Sequence, residues 1–303
     1  MAILNALLPV FICIAIGFVI KRRGFPGDDL WAPLNALGYY IFFPALLFGT
    51  LATSPFDGEV AGKLGGTLVA AQFSMALILS AIRRIWRIPG PAYSSVFQGA
   101  VRWNGFVALA IIATLYGDHG ITIAAIAFAF MVPTANVLSV FALTRHAANE
   151  PATFRKVIHL LVRNPLILAC LAGAAINLAG VALPAAFVKT LDVLGAPALP
   201  IGLLGVGAAL TFTSFKVDIW LVTLTTALKL LAMPAIIYGL CVVMGISGLP
   251  LVVAITAGAV PGASASYILA KELGGDAELM AALITASTLV AAITMPIILY
   301  VAI

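Results

Sequence analysis

The sequence predicts an all-α integral membrane protein. About ten transmembrane helices form two inverted five-helix repeats, with crossed, broken helices four and nine. Three observations predict it. The chain of 303 residues is 63% hydrophobic and 9% charged, with a mean hydropathy of +1.17, so lipid is the expected solvent. Its apolar runs reach the roughly 20 residues that a spanning helix needs. Prolines and glycines recur at one offset between the two halves, and polar residues interrupt one run in each half.

Cutting the chain where charges and Gly/Pro clusters fall places spans near 2–20, 31–53, 64–82, 92–116, 121–143, 165–178, 187–213, 219–246, 249–273 and 279–303. The first run precedes its basic cluster, Lys21, Arg22 and Arg23, and no small-residue cleavage site follows. It reads as a retained span and not as a secretory signal. The longest connection, Arg145 to Arg163, falls mid-chain. Residues 1–145 are thus the first repeat, 146–163 a cytoplasmic connecting loop and 164–303 the second repeat.

Loop charge sets the orientation. With the N-terminus outside, twelve of the sixteen basic residues lie in inner loops, including Arg83, Arg84, Arg87, Arg145, Arg155, Lys156 and Lys216; only Lys63 and Lys189 lie outside. Arg102 and Lys229 remain within the membrane. Both termini are therefore expected to be extracytoplasmic. The same distribution explains the basic pI near 9.2 without nucleic acid, since no soluble domain presents the charges.

Cys13, Cys170 and Cys241 lie inside apolar runs without metal-ligand spacing, which excludes a disulfide framework and gives no zinc site. His119, His146 and His159 sit at span edges or in loops, and no His-Glu-x-x-His or paired intramembrane aspartates occur. An intramembrane enzyme is therefore not expected, nor any cofactor or metal.

Sliding the second half over the first pairs Pro9 with Pro165, Gly17 with Gly173, Pro44 with Pro200 and Gly49 with Gly205, each at an offset of 156. Asp118 and Asp276 pair at 158. A half with an odd number of spans inserts its copy upside down, so repetition implies a pseudo-two-fold axis in the membrane plane, an architecture of transporters.

The fourth span carries Arg102-Trp103-Asn104-Gly105 near mid-depth, and the ninth carries Val260-Pro261-Gly262-Ala263-Ser264-Ala265-Ser266 at the equivalent place. Proline removes a donor and glycine relaxes the backbone. Broken helices persist at that depth where they line a cavity or meet other protein, which points to one shared site. Two half-helix N-termini and Arg102 there favour an anion. The candidate substrate-binding residues are Arg102, Asn104, Gly105, Pro261, Gly262, Ser264, Ser266, Asn136 and Thr288. An ordinary packing role, Pro261 as a kink and Arg102 snorkelling to headgroups, remains the other reading, and single Ser or Thr residues also serve helix packing.

Lys229 lies mid-span in the eighth run, and its repeat counterpart falls near Gln72 in the third. An ammonium in hydrocarbon costs on the order of 3 kcal/mol, so Lys229 is expected to face protein or water. Lys229 and Gln72 are candidates for coupling or charge balance, the alternative for Lys229 being a structural lysine bonded to neighbouring helix breaks.

Several short motifs together carry a resemblance: Phe43-Pro44-Ala45-Leu46-Leu47-Phe48, Arg102-Trp103-Asn104-Gly105-Phe106 with Leu115-Tyr116-Gly117, Arg163-Asn164-Pro165-Leu166-Ile167, Pro200-Ile201-Gly202-Leu203-Leu204, Val260 to Tyr267 with Gly274-Gly275-Asp276, and Thr294-Met295-Pro296. In order and spacing, over nearly the whole chain, the sequence resembles the auxin efflux carrier family, which includes bacterial malonate-type carriers. The resemblance implies a fold like the bile-acid sodium symporters, with spans one, two, six and seven as scaffold and the rest as a mobile core. It further implies secondary active transport of an organic anion by elevator-like movement, proton-coupled or facilitative. The fourth span lacks the proline often found after its Asn-Gly, and the middle loop is short, which argues against auxin and for a bacterial inner-membrane member. Expected partners are a small organic anion, the lipid bilayer and a second copy, as a homodimer through the scaffold spans. A sodium-coupled anion symporter, and a channel or non-transporting sensor, are the competing readings.

Overall fold

A computed structural model describes residues 2–54, 58–147, 162–212 and 217–302. These fold into helices, with no strand among them: α1 (Ala2–Arg22), α2 (Asp28–Thr53), α3 (Gly58–Trp86), α4 (Gly90–Val101), α5 (Gly105–His146), α6 (Pro165–Leu178), α7 (Ala185–Ala208), α8 (Ile219–Val243), α9 (Gly248–Ala259), α10 (Ala265–Glu272) and α11 (Ala277–Ala302). Residues 148–161 of the expected connecting loop, with Arg155 and Lys156, lie outside the described residues, as does Lys216.

Seven helical stretches among the described residues are long and apolar enough to cross a membrane; α6 and α9 are shorter apolar helices. One of the seven, Gly90–His146, combines α4 and α5. It is interrupted at 102–104 and again at Gly117, whose φ of 57° and ψ of −147° leave the helical region. The sequence expects about ten spans; the described residues show seven stretches of spanning length, one of them interrupted, and two shorter apolar helices.

Helix irregularities follow the prolines. Pro44 and Pro234 offer no N–H, and each follows a π turn, Gly38–Phe42 in α2 and Leu228–Ala232 in α8. There the ladder shifts by one residue, so that Phe43 N–H reaches the Gly38 carbonyl and Met233 N–H the Leu228 carbonyl. In α7 two shorter helices, Ala185–Gly195 and Ala198–Ala208, meet around Pro197.

Packing divides the helices into two groups. In the first, α1 lies on the second part of α7, and α2 lies on α6 and the first part of α7. Small residues permit the approach: a Cβ on Gly17 would stand 2.1 Å from the Leu204 carbonyl oxygen, and one on Gly173 2.8 Å from that of Phe48. Backbone-close crossings of this kind suit helices that gain little from excluding lipid tails. In the second group α3 packs on α5 and α8, α9 on α5, α8 and α11, and α4 on α5, α8, α10 and α11. Helix α5 touches both groups.

The outer surface is apolar. Leu4, Leu8, Ile12 and Ile16 form an exposed stripe along α1, and Leu289, Ile293, Ile297 and Tyr300 another along α11. Contiguous stripes of that length face lipid. The chain is a multi-pass membrane protein.

Candidate functional site

Helix α4 ends where Arg102 turns extended, with φ −77° and ψ 151°. The chain resumes as α5 after Asn104, whose side-chain oxygen accepts the Val107 N–H at 3.2 Å, an N-cap inside the protein. In α9 the break comes at Val260, with φ −66° and ψ 155°, because a residue before proline is driven out of the α region. Helix α10 begins after Ser264.

The two breaks touch. The Asn104 N–H donates to the Pro261 carbonyl at 2.9 Å, and the Gly262 N–H donates to the Ser287 hydroxyl of α11 at 3.2 Å. A Cβ on Gly262 would lie 3.5 Å from the Gly99 carbonyl oxygen, so the last turn of α4 stands against the break in the other half. On the far side of the crossing, Gly105 sits under the Phe128 ring, where a Cβ would come within 2.1 Å.

Four half-helix ends converge here: the C-termini of α4 and α9 and the N-termini of α5 and α10. A lysine meets the C-terminus of α9, and an arginine follows α4 in the chain. Arg102 caps α4 in sequence, and Lys229, fully buried in the π turn of α8, donates to the Gly258 carbonyl in the last turn of α9 at 3.1 Å. Cations at helix C-termini offset the partial negative charge of the freed carbonyls. Among the described residues the ion pairs are Lys21–Asp28 and Lys63–Glu59, both distant in sequence from this site; neither involves Lys229.

Unused hydrogen-bonding capacity collects beside these ends. The Arg102 Nε and Nη1, the Asn104 Nδ2 and the Ser266 hydroxyl are buried without a partner. These are donors, or in the case of Ser266 both donor and acceptor, and suit an oxyanion.

The remaining expected residues are placed otherwise. Pro261 and Gly262 are buried at the crossing, while Ser264 is half-buried and caps nothing with its side chain. Thr288 returns its hydroxyl to the Ile284 carbonyl of its own helix at 2.7 Å, and Asn136 is half-buried on α5. Gln72 donates to the Met131 carbonyl of α5 at 3.2 Å. The two side chains are not hydrogen-bonded to each other. Among the described residues no group of three His, Cys, Asp or Glu side chains gathers to hold a metal.

Two further polar residues lie in the second helix group. Gln98, one turn before the α4 break, is fully buried with both amide atoms unpaired. Thr285 on α11 accepts the Thr211 N–H and donates to its carbonyl, both at 3.1 Å, fastening the segment after α7 to the second helix group. Gln98 lies on α4 between Ser94-Ser95 and Arg102, about one turn from each.

A family model described as a membrane transport protein matches residues 2–299. An uncharacterized transporter of Methanothermobacter thermautotrophicus is 24% identical over 304 residues, an alignment covering 96% of each chain.

Proposed function

The chain belongs to the membrane transport protein family, the auxin-efflux-carrier type that its motifs resemble, and from that premise we propose that it is a secondary active transporter of a small organic anion of the carboxylate class. A transporter family, and not an enzyme family, is the setting for the site. The single observation carrying the proposal is the contact of two helix breaks through Asn104 N–H and the Pro261 carbonyl, 2.9 Å, beside buried, unpaired donors of Arg102, Asn104 and Ser266.

In this reading the chain crosses the bilayer ten times. Helix α4 with α5 up to Gly117 forms the fourth span, the rest of α5 the fifth, and α9 with α10 the ninth. The halves are inverted repeats: the π turn and Pro44 of α2 answer the interruption and Pro200 of α7, and the 102–104 break answers 260–264. Helices α1, α2, α6 and α7 act as the scaffold, through which two copies pair, and the others as a core that carries the site across in elevator fashion. Both termini lie outside the cytoplasm of a bacterial inner membrane, the placement that loop charge favours.

Lys229 supplies at the α9 C-terminus the positive charge that a bound cation would otherwise bring, which favours proton-coupled or facilitative transport over sodium coupling. Purified protein in proteoliposomes, offered a panel of mono- and dicarboxylates with and without sodium at two pH values, tests the proposal. Saturable uptake that shows counterflow, with no need for sodium, is the expected result. Non-saturable flux would identify a channel, and binding without flux a sensor.

A further inference from the structure

Between the C-terminal end of α1 and the segment that follows α7 lies a cavity away from the helix crossing. Its volume is about 150 Å³, and it is lined by Phe18, Lys21, Arg22, Leu210, Thr211 and Phe212. One water needs roughly 10–15 Å³, so the space admits a group as large as a phosphate ester. Two cations and three apolar side chains share the lining, which suits a ligand that is anionic at one end and apolar at the other.

The two cations differ in what already holds them. Lys21 donates to the Asp28 carboxylate at 2.5 Å across the turn between α1 and α2. Arg22 has no carboxylate partner among the described residues; its guanidinium lies over the Phe18 ring, 5.4 Å from the centroid. Phe18 meets Phe212 edge to face with the centroids 5.2 Å apart, so the rings on the apolar side of the cavity also hold the arginine there. The carbonyls that end α1 are already engaged: Val19 and Ile20 accept the Arg23 N–H, Ile20 also accepts the Phe25 N–H, and Lys21 accepts the Gly24 N–H. The positive charge of Arg22 is therefore left for a group outside the chain.

Position in the bilayer selects the ligand. Helix α1 carries the exposed apolar stripe Leu4, Leu8, Ile12 and Ile16 and ends in Lys21-Arg22-Arg23, so the cavity lies where hydrocarbon gives way to headgroups. We propose that it binds an anionic phospholipid, with the phosphodiester on Arg22 and the start of an acyl chain against Phe18, Leu210 and Phe212. A guanidinium offers paired donors that match two oxygens of a phosphodiester. A glycerol headgroup keeps the net negative charge that a choline headgroup cancels. Lys21 is the second cation, and Asp28 opposes the lipid by occupying it. The assignment is independent of what the protein transports.

The cavity also stands at the seam between the two helix groups. Thr211, in its lining, is the residue whose N–H and carbonyl are both bonded to the Thr285 hydroxyl of α11, and α1 itself packs on α11. A lipid seated here touches α1 and the segment leaving α7 together, so it binds a built concavity and not one helix surface. That separates it from the diffuse attraction of any basic membrane face for anionic lipid. Diffuse attraction is felt alike by Arg22 and by Arg23, which is equally exposed but outside the lining.

The test is native mass spectrometry of the purified full chain titrated with phosphatidylglycerol and with phosphatidylcholine of the same acyl chains. The wild type should bind phosphatidylglycerol roughly fivefold more tightly. Arg22→Gln should erase that preference, and Arg23→Gln, the same loss of charge one residue on, should keep it. Asp28→Asn, which frees Lys21, should tighten phosphatidylglycerol by roughly two- to fivefold, the worth of a surface ion pair. Asp29→Asn changes the charge equally but releases no cation, and should leave the affinity unchanged. Should Arg22→Gln fail to fold, the aspartate pair decides. Equal binding of the two lipids, equal losses in the two arginine variants, or equal gains in the two aspartate variants would overturn the site in favour of diffuse attraction. Displacement of phosphatidylglycerol by millimolar inorganic phosphate would overturn the lipid assignment and make the cavity an ion site.

Discussion

Lys229 and Asn104 show how single residues at the crossing divide between stability and chemistry. The Lys229 ammonium is isolated from carboxylates and held by one carbonyl, that of Gly258. Removing it with Lys229→Met leaves an apolar side chain of similar length, so the protein should still elute as a folded species on gel filtration. Uptake in proteoliposomes should fall at least tenfold through loss of charge balance; unchanged uptake with an unchanged pH profile would strip Lys229 of any transport role. Asn104 has two separable functions, since Oδ1 caps α5 and Nδ2 is unpaired. Asn104→Ala should lower stability by about 1 kcal/mol through the lost cap. Asn104→Asp retains the cap oxygen but replaces the Nδ2 donor with negative charge, so melting temperature should hold while carboxylate affinity drops. Equal affinity in the Asp variant would place Nδ2 outside the site. Sequence marks Lys229 and Asn104 because a charge or an amide in an apolar run is conspicuous. It offers the Asn104 oxygen as a cap within three residues, but it cannot say that the Gln98 amide stays unpaired, because that depends on neighbours far along the chain.

At the level of elements, the breaks are written locally and the crossing is not. Val260 leaves the helix because proline follows it, and α5 restarts where Asn104 can cap it, features legible in a few residues. That the Gly105 backbone must slide beneath Phe128 is a contact between two parts of one helix folded back at Gly117, and no local pattern announces it. Gly105→Ala should therefore cost about 1–3 kcal/mol by overpacking, seen as a lower melting temperature, with Phe128→Leu in the same chain recovering part of it. A fully tolerated Gly105→Ala would mean that the ring moves aside freely. The π turn in α8 is similar: Pro234 makes an irregularity predictable, but only the fold turns Lys229 toward the end of α9.

Across the whole molecule, the exposed stripes define where lipid lies. Ile293 is 67% exposed in the α11 stripe; Ile293→Lys should oppose insertion by roughly 2.5–3.5 kcal/mol and reduce the membrane-integrated yield, while Ile293→Leu should not. The inner-loop excess of basic residues predicts that a cysteine at Ala182, in the turn after α6, reacts with an impermeant maleimide on intact cells. One at Arg23 should react only after permeabilisation. The opposite pattern would invert the topology.

Composition and the length of the apolar runs settle the solvent, because an apolar run has few ways to satisfy its backbone in lipid except as a helix. Short motifs carry the family likeness in sequence order. Which half-helix ends face one another, which buried donors stay unpaired and which cation serves which C-terminus were decided only by the tertiary structure. Those properties are distances between separate segments, 29 residues apart for Lys229 and Gly258 and more than a hundred for Asn104 and Pro261, and hydrogen-bond satisfaction is a sum over neighbours that no single stretch of chain contains.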